Sequence, residues 1–92
     1  MNNISVETIE KLRVEMVGKR YRHFKGKIYV VIDIAVHTET DEIMVVYKRF
    51  LDSLVTWCRP LEMFMSDVDH KKYPDVKQKK RFERMYTEDE TI

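Results

Sequence analysis

The chain is 92 residues long, with a formal net charge of +1, 43% hydrophobic residues and 36% charged residues. That balance excludes a compositionally disordered chain, and the length predicts one domain with little room for a deep, closed active site. The longest apolar run, Ile28 to Ile32, excludes a spanning helix of about 18 residues, and the one cysteine, Cys58, excludes an internal disulfide or a cysteine-based zinc site.

The residue types favour sheet. Val, Ile and Thr number 11, 7 and 6, against 4 Leu and 1 Ala. β-Branched side chains suit a pleated, half-buried surface. In chain order, Ser5 is a candidate N-cap. Val6, Ile9, Leu12 and Met16 then recur at spacings that line one face of a helix over 6–17. Gly18 follows where a left-handed stop is expected. The apolar stripe must cover either the sheet or a second copy of the chain, so a homodimer through this helix is one expected arrangement.

Tyr21 to Phe24 reads as a first strand and Lys25-Gly26-Lys27 as a turn. Residues 28–36 read as a central strand covered on both sides. Ile28, Val30, Ile32, Ile34 and Val36 share one face, and Tyr29, Val31, Asp33 and Ala35 share the other. Asp33 in such a setting needs a partner. Residues 37–42 read as a polar loop, 43–50 as a third strand, 51–53 as a turn and 54–59 as a short fourth strand. Pro60 ends that strand and can open one helical turn through Leu61, Glu62 and Met63. Phe64 to Val68 is a candidate fifth strand, 69–80 a polar connector and 81–86 a returning strand.

The expected fold is mainly β: a small SH3-like barrel of five or six short antiparallel strands with one N-terminal amphipathic helix. An open antiparallel sheet covered by the helix is the alternative. The domain plan is a helix over 1–17, one barrel domain over 18–86 and a frayed tail over 87–92. The first ten residues carry Glu7 and Glu10 and no signal-peptide pattern, so a cytoplasmic location without membrane association is expected.

Charge is unevenly distributed. Residues 19–27 hold Lys19, Arg20, Arg22, Lys25 and Lys27 with no acid. Residues 39–69 hold seven acids against three bases, and 70–84 hold seven bases against two acids. Such asymmetry can create a basic face that attracts phosphate or acidic partners. The interleaved acids and the near-zero net charge predict that strong nucleic-acid binding is absent.

Tyr21-Arg22-His23-Phe24-Lys25-Gly26 resembles the opening signature of a family of small bacterial domains of unknown function. The resemblance continues through Tyr29, His37-Thr38-Glu39-Thr40, Val45-Val46-Tyr47 and Trp57-Cys58-Arg59-Pro60-Leu61-Glu62-Met63-Phe64. Lys72-Tyr73-Pro74 and Arg81-Phe82 are similar to later family elements. It covers roughly residues 18–83 and implies a small bacterial or phage protein of this fold, with no reaction attached. Cys58 departs from it, standing where a plain aliphatic is usual.

His23, His37 and Glu39 form one candidate constellation, a His₂-carboxylate set suited to a metal or to water activation. Their spacing lacks the i, i+2 or i, i+4 relation that places two ligands on one element, and hydrogen bonds to neighbouring loops account for each histidine equally well. No metal site, cofactor or catalytic residue is therefore assigned. Cys58 reads as a packed, inert thiol. Trp57 and Arg59, two apart on one strand face, with Tyr47 nearby, are residue types enriched at binding hot spots. Arg59 can grip an anion with a bidentate fork, or it can brace the fold against Glu62 or Glu39.

The expected function is a non-catalytic binding or adaptor module for an unknown protein or a small anionic ligand. Its recognition face comprises His23, His37, Glu39, Thr40, Tyr47, Trp57, Arg59 and Glu62. A protein binding a small polar or phosphorylated ligand, or a minor hydrolytic enzyme, is the alternative, and a nucleic-acid-binding barrel using the bases of 19–27 and 71–84 with Tyr21, Phe24 and Tyr73 is the third. A pocket that gathers both histidines with Arg59 favours ligand chemistry, whereas an aromatic groove favours an adaptor.

Overall fold

The computed structural model describes residues 5–51 and 54–86. Asp52 and Ser53 of the expected turn, and the expected tail 87–92, lie outside the described residues. Ser5 caps the first helix: its side-chain oxygen accepts the Thr8 N–H at 3.1 Å, and α1 runs from Val6 to Met16. Val17 closes the helix in an extended conformation. Gly18 then takes a φ of +80°, a conformation open to glycine at little cost.

Five strands follow: β1 (Arg20–His23), β2 (Ile28–Val36), β3 (Ile43–Arg49), β4 (Thr56–Pro60) and β5 (Phe82–Met85), with one helical turn, α2 (Leu61–Phe64), after β4. All pair antiparallel in a single unclosed sheet of order β4-β3-β2-β1-β5. The protein is thus mainly β with a short N-terminal helix. The strand order is compatible with an SH3-like barrel, but the hydrogen-bonded sheet keeps two edges, β4 and β5. The β1–β2 turn forms as its residues require. The His23 carbonyl accepts the Gly26 N–H at 2.7 Å, and Gly26 sits at φ +108°. Among the described residues no helix is long and apolar enough to cross a membrane.

Two local expectations are overturned. The first concerns β2, which is central as expected but buried on one face. Its register against β3 shifts between Val31 and Asp33. Val31 stands opposite Tyr47, whereas Ile34 stands opposite Val45. One extra residue in a bulge reverses the alternation beyond it. Tyr29, Val31 and Ile34 therefore share the core face, and Ile32 and Val36 are each 40% exposed. Asp33 is turned out of the core, and its partners are local. Its Oδ1 accepts the Ile34 N–H at 2.7 Å and Arg13 Nε at 3.0 Å, contacts that hold its carboxyl below the usual carboxylate range.

The second concerns Phe64–Val68, which is not a strand. Phe64 ends α2, and the segment contributes only an isolated bridge between Asp67 and Lys80, reinforced by their 3.0 Å ion pair. Helical geometry here points Phe64 inward, where it is fully buried and stacks on Phe82 at 4.1 Å between ring centroids.

The core lies on one face of the sheet. Tyr21, Val31, Ile34, Val45, Tyr47 and Phe82 meet Ile9 and Met16 of α1 and Phe64 of α2. The helix stripe therefore covers its own sheet, with Leu12 partly buried beside it and Val6 left 73% exposed. Removing the Phe64 ring should open a cavity costing about 3–5 kcal/mol, equivalent to a fall of roughly 12 °C or more in Tm for a domain this small. Val6→Ala, by contrast, should stay within about 0.5 kcal/mol. Thermal melts of the two variants followed by circular dichroism check this, and equal losses would show the core to be misplaced.

Candidate anion-binding site

Cross-strand pairing decides which side chains meet. Tyr21 opposes Tyr29, Val31 opposes Tyr47, Tyr47 opposes Trp57, Val45 opposes Arg59 and His23 opposes Phe82. Directly opposed residues share a sheet face. His23, Tyr29, Tyr47, Trp57, Arg59 and Phe82 therefore all project from the core face. The part of that face under α1 and α2 forms the core. The part toward the β1–β2 turn is a ring cluster that ends in a pocket.

Phe82 joins the two. Beyond Phe64, its ring lies 4.9 Å from His23, 5.6 Å from Tyr47 and 5.8 Å from Tyr29, all edge-on. The Arg59 guanidinium sits 5.7 Å from its centroid. Tyr29 also meets Trp57 edge-on at 5.9 Å. Tyr47 is buried, whereas Trp57 is 37% exposed and keeps part of its ring available.

The polar connector forms the far wall. It is tied down by long-range bonds rather than by regular structure. Phe24 donates its N–H to the Arg81 carbonyl at 3.0 Å, and Arg81 donates its own to Ser66 at 2.9 Å. The Gln78 amide donates to the carbonyls of Arg22 and Lys80. Asp69 sets the local turn: its Oδ1 accepts the N–H groups of Lys71 and Lys72, and its carbonyl accepts that of Tyr73. Tyr73 is thereby laid against Phe24, with ring centroids 5.0 Å apart, and Lys25 and Lys72 flank it at 5.6 and 5.5 Å.

The result is a pocket of about 330 Å³ between the connector and the β1–β2 turn. Lys25, Arg59, Lys72 and Arg81 line it, against one carboxylate, Asp69. His23, Phe24 and Tyr73 supply rings. The Nε of Arg81 is buried with no hydrogen-bond partner among the described residues. His23 stacks on Phe24 at 4.5 Å, and its Nδ1 accepts the Lys25 N–H at 3.1 Å. Burial, and then the positive charge of Arg59, Lys25 and Arg81, pull the His23 pKa below its ordinary 6.5. Chemically, the site is an array of unspent donors and positive charge in a ring-walled recess.

The residues selected from sequence separate into two groups. His23, Tyr47, Trp57 and Arg59 fall on the one face. His37, Glu39 and Thr40 lie in the β2–β3 loop, separated from His23 by the nine-residue length of β2. There His37 Nδ1 accepts the N–H groups of Glu39 and Thr40, Glu39 accepts the Thr38 hydroxyl, and Thr40 donates its hydroxyl to Glu42. Among the described residues no three His, Cys, Asp or Glu side chains gather as metal ligands, so the two histidines and Glu39 do not form one centre. Glu62 lies beside Pro60, Leu61 and Asp41 around a separate hollow. Among the described residues neither Glu62 nor Glu39 pairs with Arg59. Cys58 projects to the opposite face and is exposed, not packed.

The recognition face selected from sequence does not include Lys25, Asp69, Lys72 or Arg81; Lys25, Lys72 and Arg81 enter only among the bases of the nucleic-acid alternative. The signals that point to them are the basic excess over 70–84 and the Lys72-Tyr73-Pro74 and Arg81-Phe82 elements. A larger groove of about 660 Å³ lies between α1 and α2, lined by Leu12, Met16, Tyr21, Leu61, Met65 and Tyr86 among others, and contains none of the eight residues of the expected recognition face.

Fold and pocket together define a small antiparallel β domain with a cationic, ring-walled recess at one end of its core face. The chain belongs to the family described as "Protein of unknown function (DUF1653)", whose model matches residues 19–84, from just before β1 into β5. Neither the curated proteins nor the solved structures contain a match to it.

His23 should titrate below 6.5 in the folded protein, and Arg59→Gln should raise its midpoint by removing a positive neighbour. Between the ordinary value and the lower folded one, the unfolded chain binds the extra proton. His23 therefore makes stability rise as pH rises across that window, and the stabilisation is lost as pH falls through it. An NMR titration of the His23 ring in both forms checks this, and a midpoint unmoved by the substitution would show that Arg59 is not its neighbour.

Proposed function

We propose that the chain is a non-catalytic binding module that takes an anionic group, on a small ligand or on a partner protein, in the pocket between Arg59 and Arg81. The observation that carries this reading is the composition of the pocket wall, with four cationic side chains against the single carboxylate of Asp69. That carboxylate is already engaged by two backbone N–H groups. Arg59 has no acidic partner among the described residues, so the bracing role open at the sequence level has nothing to brace against. Arginine forks are suited to carboxylate and phosphate oxygens, and charge-assisted bonds of this kind are about twice as strong as neutral ones.

A binding role also suits the chemistry of the wall. Hydrolysis needs a base or nucleophile beside the anion. Here the wall's two candidate bases are engaged by backbone, since His23 Nδ1 accepts the Lys25 N–H and Asp69 Oδ1 accepts those of Lys71 and Lys72, and His37 and Glu39 are committed to their own loop. Recognition through Trp57 remains part of the reading, because its exposed ring edge adjoins Arg59 on β4.

Pyrophosphate and citrate serve as probes of the anion site. In ¹⁵N-resolved NMR at low salt, either should shift the amides of residues 23–25, 59, 69–73 and 81 ahead of the rest of the chain. Arg59→Gln should weaken binding by roughly 10- to 100-fold, the loss of a charge-assisted bond of about 1.5–3 kcal/mol. Its Tm should stay within a few degrees, because no folded-state carboxylate loses its partner. Unshifted pocket amides with both probes, or equal affinity in Arg59→Gln, would contradict the reading.

A further inference from the structure

We infer that the anion this pocket takes is a phosphate monoester carried by a planar ring, that is, a nucleoside monophosphate group, with the phosphate held between Arg59 and Arg81 and the ring set against Phe24 and Tyr73. The inference rests on the anion-site reading above and names the ligand class for the same pocket.

Three observations select this chemistry. The first is charge. Lys25, Arg59, Lys72 and Arg81 face one carboxylate, so a single ligand carboxylate leaves most of the positive charge uncompensated. A phosphate monoester carries close to two negative charges at neutral pH and three acceptor oxygens. The second is donor supply. Among the described residues the buried Arg81 Nε has no hydrogen-bond partner, so the donors of this guanidinium are not all spent within the fold. A phosphate oxygen is a strong acceptor, and a planar guanidinium accommodates two such oxygens.

The third is the wall. The pocket measures about 330 Å³, at the lower end of the range for small-molecule sites and much larger than a bare phosphate requires. Beside the arginines it presents rings: Tyr73 tilted on Phe24, and His23 stacked on Phe24. Rings of this kind stack on nucleobases whatever the base, because every base has a π-face. Lys25 and Lys72, which flank Tyr73, keep positive charge beside the ring site. A free mononucleotide and the phosphorylated end of a single strand share this chemistry.

The experiment compares ligands on the full-length wild-type chain, so it needs no variant to fold. Dissociation constants are measured by NMR at fixed low salt for AMP, adenosine, ribose 5-phosphate, inorganic phosphate, phosphotyrosine and a 5′-phosphorylated trinucleotide. AMP should bind at least tenfold tighter than ribose 5-phosphate or inorganic phosphate, and at least tenfold tighter than adenosine. A trinucleotide tighter than AMP identifies a strand end as the natural source, and a weaker one identifies the free nucleotide; either supports the inference. Tyr73→Leu should weaken AMP at least fivefold and leave inorganic phosphate within twofold.

AMP no tighter than inorganic phosphate overturns the ring assignment while leaving the anion site in place. Adenosine equal to AMP overturns the phosphate assignment. Phosphotyrosine tighter than AMP overturns the nucleoside assignment. Binding of none of these compounds, with pyrophosphate and citrate also silent, removes the anion site and this inference together.

Discussion

The structure depends most on the packing of one ring, Phe82. One face of it stacks on Phe64, the only fully buried side chain of α2, and its edges receive His23, Tyr29 and Tyr47. Phe82 lies on β5, an edge strand that pairs only with β1. A four-residue edge strand gains little from its hydrogen bonds alone, so burial of this ring is what holds β5 in place. Holding β5 also fixes Arg81, the residue before it, and through the Arg81 carbonyl the position of Phe24. Core and pocket thus share a wall, and the groups around the pocket inherit their rigidity from the core.

Much of this fold was legible in the sequence because local chemistry and tertiary structure agree. The Ser5 cap, the stop at Gly18, the turn at Gly26 and the helical turn after Pro60 all follow from residues whose preferred backbone is the one adopted. The strand at 28–36 was legible as an element but not in its facing. Every residue there is compatible with either side, since Ile32 and Ile34 are equally apolar. The bulge that separates them is set by the pairing of Val31 with Tyr47 and of Ile34 with Val45, which no alternation within the strand reveals. The Phe64–Val68 segment misled for a related reason. Its apolar residues, Phe64, Met65 and Val68, are too few to fix an element by their spacing, and the turn opened by Pro60 carries Phe64 into the core as part of a helix.

Half of the site was legible for the same reason that the strands were. Trp57 and Arg59 are two apart, so alternation alone places them together, and the antiparallel order brings Tyr47 beside them. The other half is contributed by a connector without regular structure. Lys72, Tyr73 and Arg81 reach His23 and Arg59 through bonds such as Gln78 to Arg22, which span more than fifty residues and leave no periodic trace. His37 misled because a histidine next to acids looks like a site. In the structure its ring nitrogen is consumed in shaping its own turn, the use that the spacing already allowed.

The account stands or falls on whether negative charge enters the recess beside His23. The most direct measurement is the titration midpoint of the His23 ring in the full-length protein, read by NMR with and without saturating AMP. Burial and the charges of Arg59, Lys25 and Arg81 hold that midpoint down in the free protein. A phosphate seated among those cations offsets them, so the account predicts an upward shift and proton uptake on binding below neutral pH. A midpoint that AMP leaves unchanged or drives lower would contradict it.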